Sequence, residues 1–241
     1  MATATEAPKA PAGNGPVNVG FLLDNTGSMM TRRDEAIQGF NKYVKDLQEV
    51  SNEDYRLMLV TFNSERTKMV TDGLAPVRQV QPLSLDTYVP AGFTPLLDAT
   101  AAIIRDLESR GASRRTLVVI LTDGEENYSK EYDFKELGEL VTKKQDVDGW
   151  SFIFLGADMD AWQIGARMGI SIANTVAYTG SAMGQTIGNL SAGTQNYARA
   201  TSPGGQSVNS GGFVSSVKGG LIDKDDPKWK AVINKNKDKK A

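Results

Sequence analysis

Val17-Asn-Val-Gly-Phe-Leu-Leu-Asp24 runs directly into Asn25-Thr-Gly-Ser-Met29, and the reading of this stretch decides the fold. Val17 to Leu23 is a short apolar run of the kind a buried parallel strand gives. Asp24 arrives at its end, and Gly27 lets the backbone turn tightly before the next element. Ile37, Phe40, Val44 and Leu47 then recur at spacings of three and four residues, which predicts an amphipathic helix. Thr31 with Asp34 three residues on is a start signal for that helix. A buried strand, a polar turn and a helix together are the first unit of an alternating α/β chain.

The same alternation continues outward. Tyr55 to Phe62 reads as a second strand, with Lys68 to Thr71 pairing beside it after a tight turn at Asn63-Ser64. Leu97, Ala101, Ile104 and Leu107 mark a helix stopped by Gly111. Thr116 to Leu121 is the most β-rich run in the chain and delivers Asp123. A helix from about Phe134 to Lys144 follows, with Asp133 placed to cap it. Then come a strand at Trp150 to Leu155, a shorter helix at Ala161 to Met168 and a last strand at Thr175 to Tyr178. This order predicts a Rossmann-like, doubly wound α/β fold. Its sheet is mostly parallel and flanked by helices, with one short antiparallel edge strand.

Beyond Tyr178 the composition changes. Gly180, Gly184 and Gly188 recur every four residues while Met183, Ile187 and Leu190 keep a helical period. A helix packed closely through its glycines competes with a floppy segment, since an interior Gly costs about 1 kcal/mol against Ala. The expected organisation is a disordered leader over 1–16, a main domain over 17–178, a Gly-containing helix or extension over 179–201, and a flexible tail over 202–241, Ser/Gly-rich and then Lys-rich.

Composition removes several function classes. The 241 residues carry 27 Lys+Arg against 29 Asp+Glu, so no overall charge favours nucleic acid. The absence of Cys excludes disulfides and thiolate ligands, and the absence of His removes the Ser-His-Asp arrangement and most transition-metal sites. No apolar h-region follows Met1 and no run reaches the length of a membrane span, which leads to the expectation of a cytoplasmic protein without membrane partners. Packaging into a virion would leave no trace in these features.

Three segments offer hard oxygen donors where strands end or helices begin: Asp24, Thr26 and Ser28 in the first, Thr94 in Gly92-Phe-Thr-Pro-Leu96, and Asp123 in Leu121-Thr-Asp-Gly124. Two carboxylates and three hydroxyls suit Mg²⁺ or Mn²⁺. Each segment alone has an ordinary account: Ser28 as a helix cap, Thr94-Pro95 as a helix start, Asp123-Gly124 as a turn. Asp24 and Asp123 nonetheless both fall at strand ends, where α/β sheets bind ligands. Glu125 and Glu126 are candidates to shape the rim, with solvated positions at a helix start as the plainer account. Arg32 and Arg33 could steer an acidic partner, against the plainer account of an exposed first helical turn.

Asp24-x-Thr26-x-Ser28, Thr94 in Gly-Phe-Thr-Pro-Leu and Asp123 in Leu-Thr-Asp-Gly resemble the metal-ion-dependent adhesion site of von Willebrand factor A domains, in the same order and over roughly Val17 to Tyr178. The resemblance implies that Ser28, Thr26 and Thr94 supply hydroxyls to a Mg²⁺ ion, with Mn²⁺ or Ca²⁺ as alternatives. Asp24 and Asp123 would then act largely through water and hydrogen bonds. It further implies a binding module rather than an enzyme, of the stand-alone type found in bacteria and phages. Such a module grips a partner's Asp or Glu, in assembly or beside an AAA+ ATPase. The alternatives are a virion component that uses its C-terminal extension and a Mg²⁺-dependent hydrolase with Asp24 as nucleophile. Oligomeric state is not legible.

Overall fold

A computed structural model describes residues 15–50, 52–157, 161–178 and 182–202. The expected leader, apart from residues 15 and 16, and the expected tail beyond residue 202 lie outside the described residues. Strands and helices alternate through β1 (Val17–Asp24), α1 (Arg33–Gln48), β2 (Tyr55–Phe62), β3 (Thr67–Met69) and β4 (Ala75–Pro76). They continue through α2 (Leu96–Ser109), β5 (Thr116–Thr122), α3 (Phe134–Asp146), β6 (Ser151–Ala157), α4 (Ala161–Arg167), β7 (Thr175–Tyr178) and α5 (Met183–Ala200).

The sheet runs in the order β3-β2-β1-β5-β6-β7. β1 pairs in parallel with both β2 and β5, and β6 and β7 continue the parallel ladder. The expected antiparallel edge strand is β3, opposite residues 60–62 of β2. A second short strand, β4, pairs antiparallel with Arg56 and Leu57, so one edge of β2 carries two short partners. Strand order reverses between β1 and β5. This is where a doubly wound sheet opens a crevice for a ligand.

Apolar residues fill both faces of the sheet. One layer packs β1, β2 and β5 side chains such as Phe21, Leu57 and Val119 against α1 and α5. The other packs Leu22, Val118 and Phe154 against α2, α3 and α4. β1 is buried at all eight positions, which explains its unbroken apolar run. The segment after Tyr178 forms a helix because tertiary contact offsets its glycines. A Cβ on Gly39 of α1 would stand 2.9 Å from the Ile187 Cβ and 3.0 Å from the Gly184 carbonyl oxygen, so the two backbones approach as only small residues allow. Tyr43 and Thr194 then share a buried hydrogen bond of 3.0 Å across the same crossing.

Candidate metal centre

Leu23 of β1 lies level with Leu121 of β5, so the chain leaves both strands at the same edge, at Asp24 and at Asp123. Asp24 is fully buried. Its carboxylate accepts from the Thr26 backbone N–H at 2.7 Å and from the Thr122 hydroxyl at 2.5 Å. Burial pushes the Asp24 carboxyl up to about 6; the Thr122 and Thr26 hydrogen bonds oppose this, and the nearby Asp123 charge adds to it. Two buried tyrosines brace the floor. Tyr88 donates its hydroxyl to the Asp24 carbonyl, and Tyr178 donates to the Thr122 carbonyl at 2.9 Å.

Above that floor the donors become more accessible. Thr26 is buried and Ser28 exposed, with 3.1 Å between their hydroxyl oxygens. Ser28 donates to Asp123 Oδ1 at 2.7 Å, and the other oxygen of that carboxylate faces Arg32 Nε at 3.2 Å. The 3₁₀ turn Gly27–Arg32 carries no side-chain cap from Thr26, so neither hydroxyl is diverted into capping it. The second loop lies directly on the first: Gly27 N–H donates to the Gly92 carbonyl at 3.0 Å and Ala91 N–H to the Asn25 carbonyl at 2.9 Å.

Thr94 is buried and held by the third loop, its N–H donating to Asn127 Oδ1 at 2.9 Å. Sequence alone allows Thr94 to be the cap of α2, but the cap position is Pro95, which makes no such bond. The free N–H groups of that helix are met from the loop after β5. Glu126 Oε2 accepts from Leu97 N–H at 3.0 Å, and the Ser129 hydroxyl accepts from Leu97 and Asp98 N–H. Asp98 answers by accepting from Lys130, Glu131 and Tyr132 N–H groups. Glu126 is therefore a brace for α2 rather than a rim charge, and the Thr94 hydroxyl is not taken up by the helix it precedes.

The three loops converge beside Gly124. A Cβ there would stand 3.1 Å from Thr94 Oγ1 and 3.5 Å from Ser28 Oγ, so both hydroxyls border one small space that a side chain would fill. The structure thus brings Asp24, Thr26, Ser28, Thr94 and Asp123 to one edge of the sheet. Sequence reasoning passed over Thr122, Tyr88 and Tyr178, which hold the carboxylate end in place. It also passed over the exposed pair Phe93 and Tyr128, whose rings stack with centroids 5.4 Å apart. Thr122 was within reach, since it stands in the quoted Leu-Thr-Asp-Gly segment; the tyrosines carried no signal.

Among the described residues no group of three or more His, Cys, Asp or Glu side chains gathers where it could hold a metal. The donors here are two carboxylates among neutral hydroxyls, all oxygen. That chemistry fits a hard divalent cation which keeps part of its water shell. The fold and this edge define a class: a doubly wound α/β domain whose topological switch point, where such folds bind ligands, is lined by three converging loops. The von Willebrand factor type A domain model matches residues 18–163, and the chain belongs to that family. Domains of this family serve typically as protein-interaction modules and often bind a divalent metal.

Among relatives, the chain is 32% identical over 124 residues to YwmD of Bacillus subtilis (strain 168). That match covers 45% of this chain and 55% of YwmD. Among solved structures it resembles the PilB minor pilin of Streptococcus sanguinis, with a TM-score of 0.57, 16% identity, and coverage of 79% of this chain and 63% of that one. It also resembles a von Willebrand factor type A protein of Catenulispora acidiphila, with a TM-score of 0.53, 12% identity, and coverage of 75% and 43%. At such identities these structures bear on the fold alone. Among the described residues no helix is long and apolar enough to cross a membrane.

Proposed function

We propose that the chain is a metal-dependent protein-binding module of the stand-alone bacterial or phage type, with an adhesion site built from Asp24, Thr26, Ser28, Thr94 and Asp123. The observation that carries this reading is the convergence of the Ser28 and Thr94 hydroxyls on one space at Gly124, with Asp123 bonded to Ser28. The Thr26, Ser28 and Thr94 hydroxyls would hold a Mg²⁺ ion, or Mn²⁺ or Ca²⁺ in its place. Asp24 and Asp123 would orient those hydroxyls and the ion's waters. The bound cation supplies a Lewis-acidic point whose charge neutral hydroxyls leave largely uncompensated, which favours an added carboxylate. The partner would present an Asp or Glu side chain, in an assembly step or as part of an AAA+ ATPase system.

A hydrolytic role for Asp24 is disfavoured by its surroundings. The side chain is fully buried, and Thr26 N–H and the Thr122 hydroxyl engage one carboxylate oxygen each. Residues 17–178 would form the module, with α5 as its packed extension. Affinity capture with the full chain tests the reading. Partners should be retained in Mg²⁺ and released by EDTA, and Asp24→Ala should capture none of them. Retention that ignores both EDTA and Asp24→Ala would refute it.

A further inference from the structure

Among the described residues the exposed large apolar side chains are Met30, Leu85, Val89, Phe93, Tyr128 and Val147. Val147 follows α3, just before β6 begins, and stands apart from the rest. The others all lie on the loops at the carboxyl edge of the sheet. Met30 comes two residues after Ser28, Phe93 adjoins Thr94, and Tyr128 adjoins Asn127; Leu85 and Val89 precede Phe93 on the same segment. Exposed apolar residues scattered singly need no account, but their gathering at one edge does. Aromatic residues and Met are the apolar types that protein interfaces favour.

Phe93 and Tyr128 are held in place by the loops that carry them. Phe93 N–H donates to the Ser64 hydroxyl at 2.9 Å. Thr94 N–H donates to Asn127 Oδ1 at 2.9 Å, and Asn127 N–H returns a bond to the Thr94 carbonyl at 3.2 Å. This reciprocal pair sets the neighbouring rings side by side, 12° from parallel with centroids 5.4 Å apart, although Phe93 is 60% exposed. The segment leading to Phe93 is clamped to α1: Asn41 bonds the Leu83 N–H and carbonyl, and Arg33 donates to the Leu85 and Tyr88 carbonyls. Aromatic side chains fixed in this way lose little conformational entropy when a partner covers them. Lys130 Nζ lies 4.7 Å from the Tyr128 ring centroid, a positive charge that suits an acidic partner.

We infer that Phe93 and Tyr128 form a second contact of the adhesion face, a platform for a large apolar side chain of a separate protein. That side chain lies within a residue or two of the carboxylate that meets the metal, because Phe93 is one residue from Thr94 and the partner's chain spans that step equally quickly. The inference rests on the functional reading above and narrows the partner. It is a segment in which Asp or Glu stands beside Leu, Ile, Met or an aromatic residue.

A phage-displayed library of random heptapeptides, panned on the full chain in MgCl₂ and eluted with EDTA, tests this without a known partner. Eluted peptides should carry Asp or Glu with a large apolar residue within two positions. A synthetic copy of the most enriched peptide should bind Phe93→Ser and Tyr128→Ser each roughly tenfold more weakly than the wild type by calorimetry. Phe93→Leu keeps apolar area and should lose less. Val147→Ser removes exposed apolar surface elsewhere and should bind the peptide as the wild type does.

Acidic peptides with no apolar preference, or undiminished binding to both Ser variants, overturn the inference and leave the adhesion-site reading standing. Enriched peptides without an acidic residue, or no enrichment at all, overturn both. A Mg²⁺-dependent dimer of the full chain that is lost in Phe93→Ser would make a second copy the occupant and overturn the assignment to a separate partner.

Discussion

The two ends of the central strands handle buried charge in opposite ways. At the amino end, Arg115 is buried and closed in by partners. It donates to Glu53 at 3.0 Å, to the Gly15 and Ala198 carbonyls at 2.6 and 2.9 Å, and to the Thr201 hydroxyl at 3.2 Å. At the carboxyl end, Asp24 and Asp123 lie among hydroxyls, one of which belongs to the exposed Ser28. The Arg115 cluster ties α5 and the chain before β1 to the base of β5, so its charge does structural work. At the other end the Arg32 guanidinium meets Asp123, and the loops leave a space at Gly124. Buried charge that is saturated stabilises the fold, and buried charge left open is available for a ligand.

Substitutions at the two ends should therefore separate stability from binding. The largest expected effect is Arg115→Met, which strands Glu53 and the Gly15 and Ala198 carbonyls; it should lower unfolding stability by about 3 kcal/mol in urea melts. Mg²⁺ affinity should stay as in the wild type. Asp24→Asn is the converse. It should cost at least roughly tenfold in Mg²⁺ affinity by calorimetry, because the group that orients the donors loses its charge. It also removes a charge whose burial outweighs its hydrogen bonds and pushes the carboxyl up to about 6, so the metal-free variant should melt no lower than the wild type. A large loss of stability in metal-free Asp24→Asn would erase the contrast between the two ends.

Smaller changes refine the comparison. Gly39→Ala drives a methyl into Ile187 and the Gly184 carbonyl; it should destabilise by about 1–3 kcal/mol with no change in metal binding. Gly124→Ala puts its methyl 3.1 Å from Thr94 Oγ1 and 3.5 Å from Ser28 Oγ. Mg²⁺ affinity should drop several-fold while the melting temperature moves by only a few degrees. Equal Mg²⁺ affinity in Gly124→Ala and the wild type would mean that the space beside Gly124 is not where the cation binds.

Much of the fold was legible because its signals are local. β1, β2, β5 and β7 are apolar runs bounded by polar turns, and α1, α2 and α3 carry their buried positions at helical spacing. The capping box of Asp133 and Glu136 is likewise local, and the structure forms it. β4 was invisible because two residues ending in proline carry no strand pattern. Whether the segment around Gly184 and Gly188 was helix or linker depended on Gly39, far away in the sequence.

In the candidate site, the candidate oxygen donors could be named from sequence because they sit in short motifs where a strand ends or a helix begins. What supports them could not. Tyr88 reaches Asp24 across 64 positions, and Glu126 braces a helix that starts 30 residues earlier. Arg32 has the sequence context of an exposed helical turn, and its guanidinium nonetheless lies against Asp123. Side chains that act on a distant loop leave no periodicity to read.

The donors of three loops are proposed to hold one divalent cation. Crystals grown with MnCl₂ test it by anomalous scattering at the manganese edge. The predicted result is a single strong peak beside Gly124, within ligand distance of the Ser28 and Thr94 hydroxyls and absent in Asp24→Asn. No peak there, or one ringed by other residues, would contradict the claim.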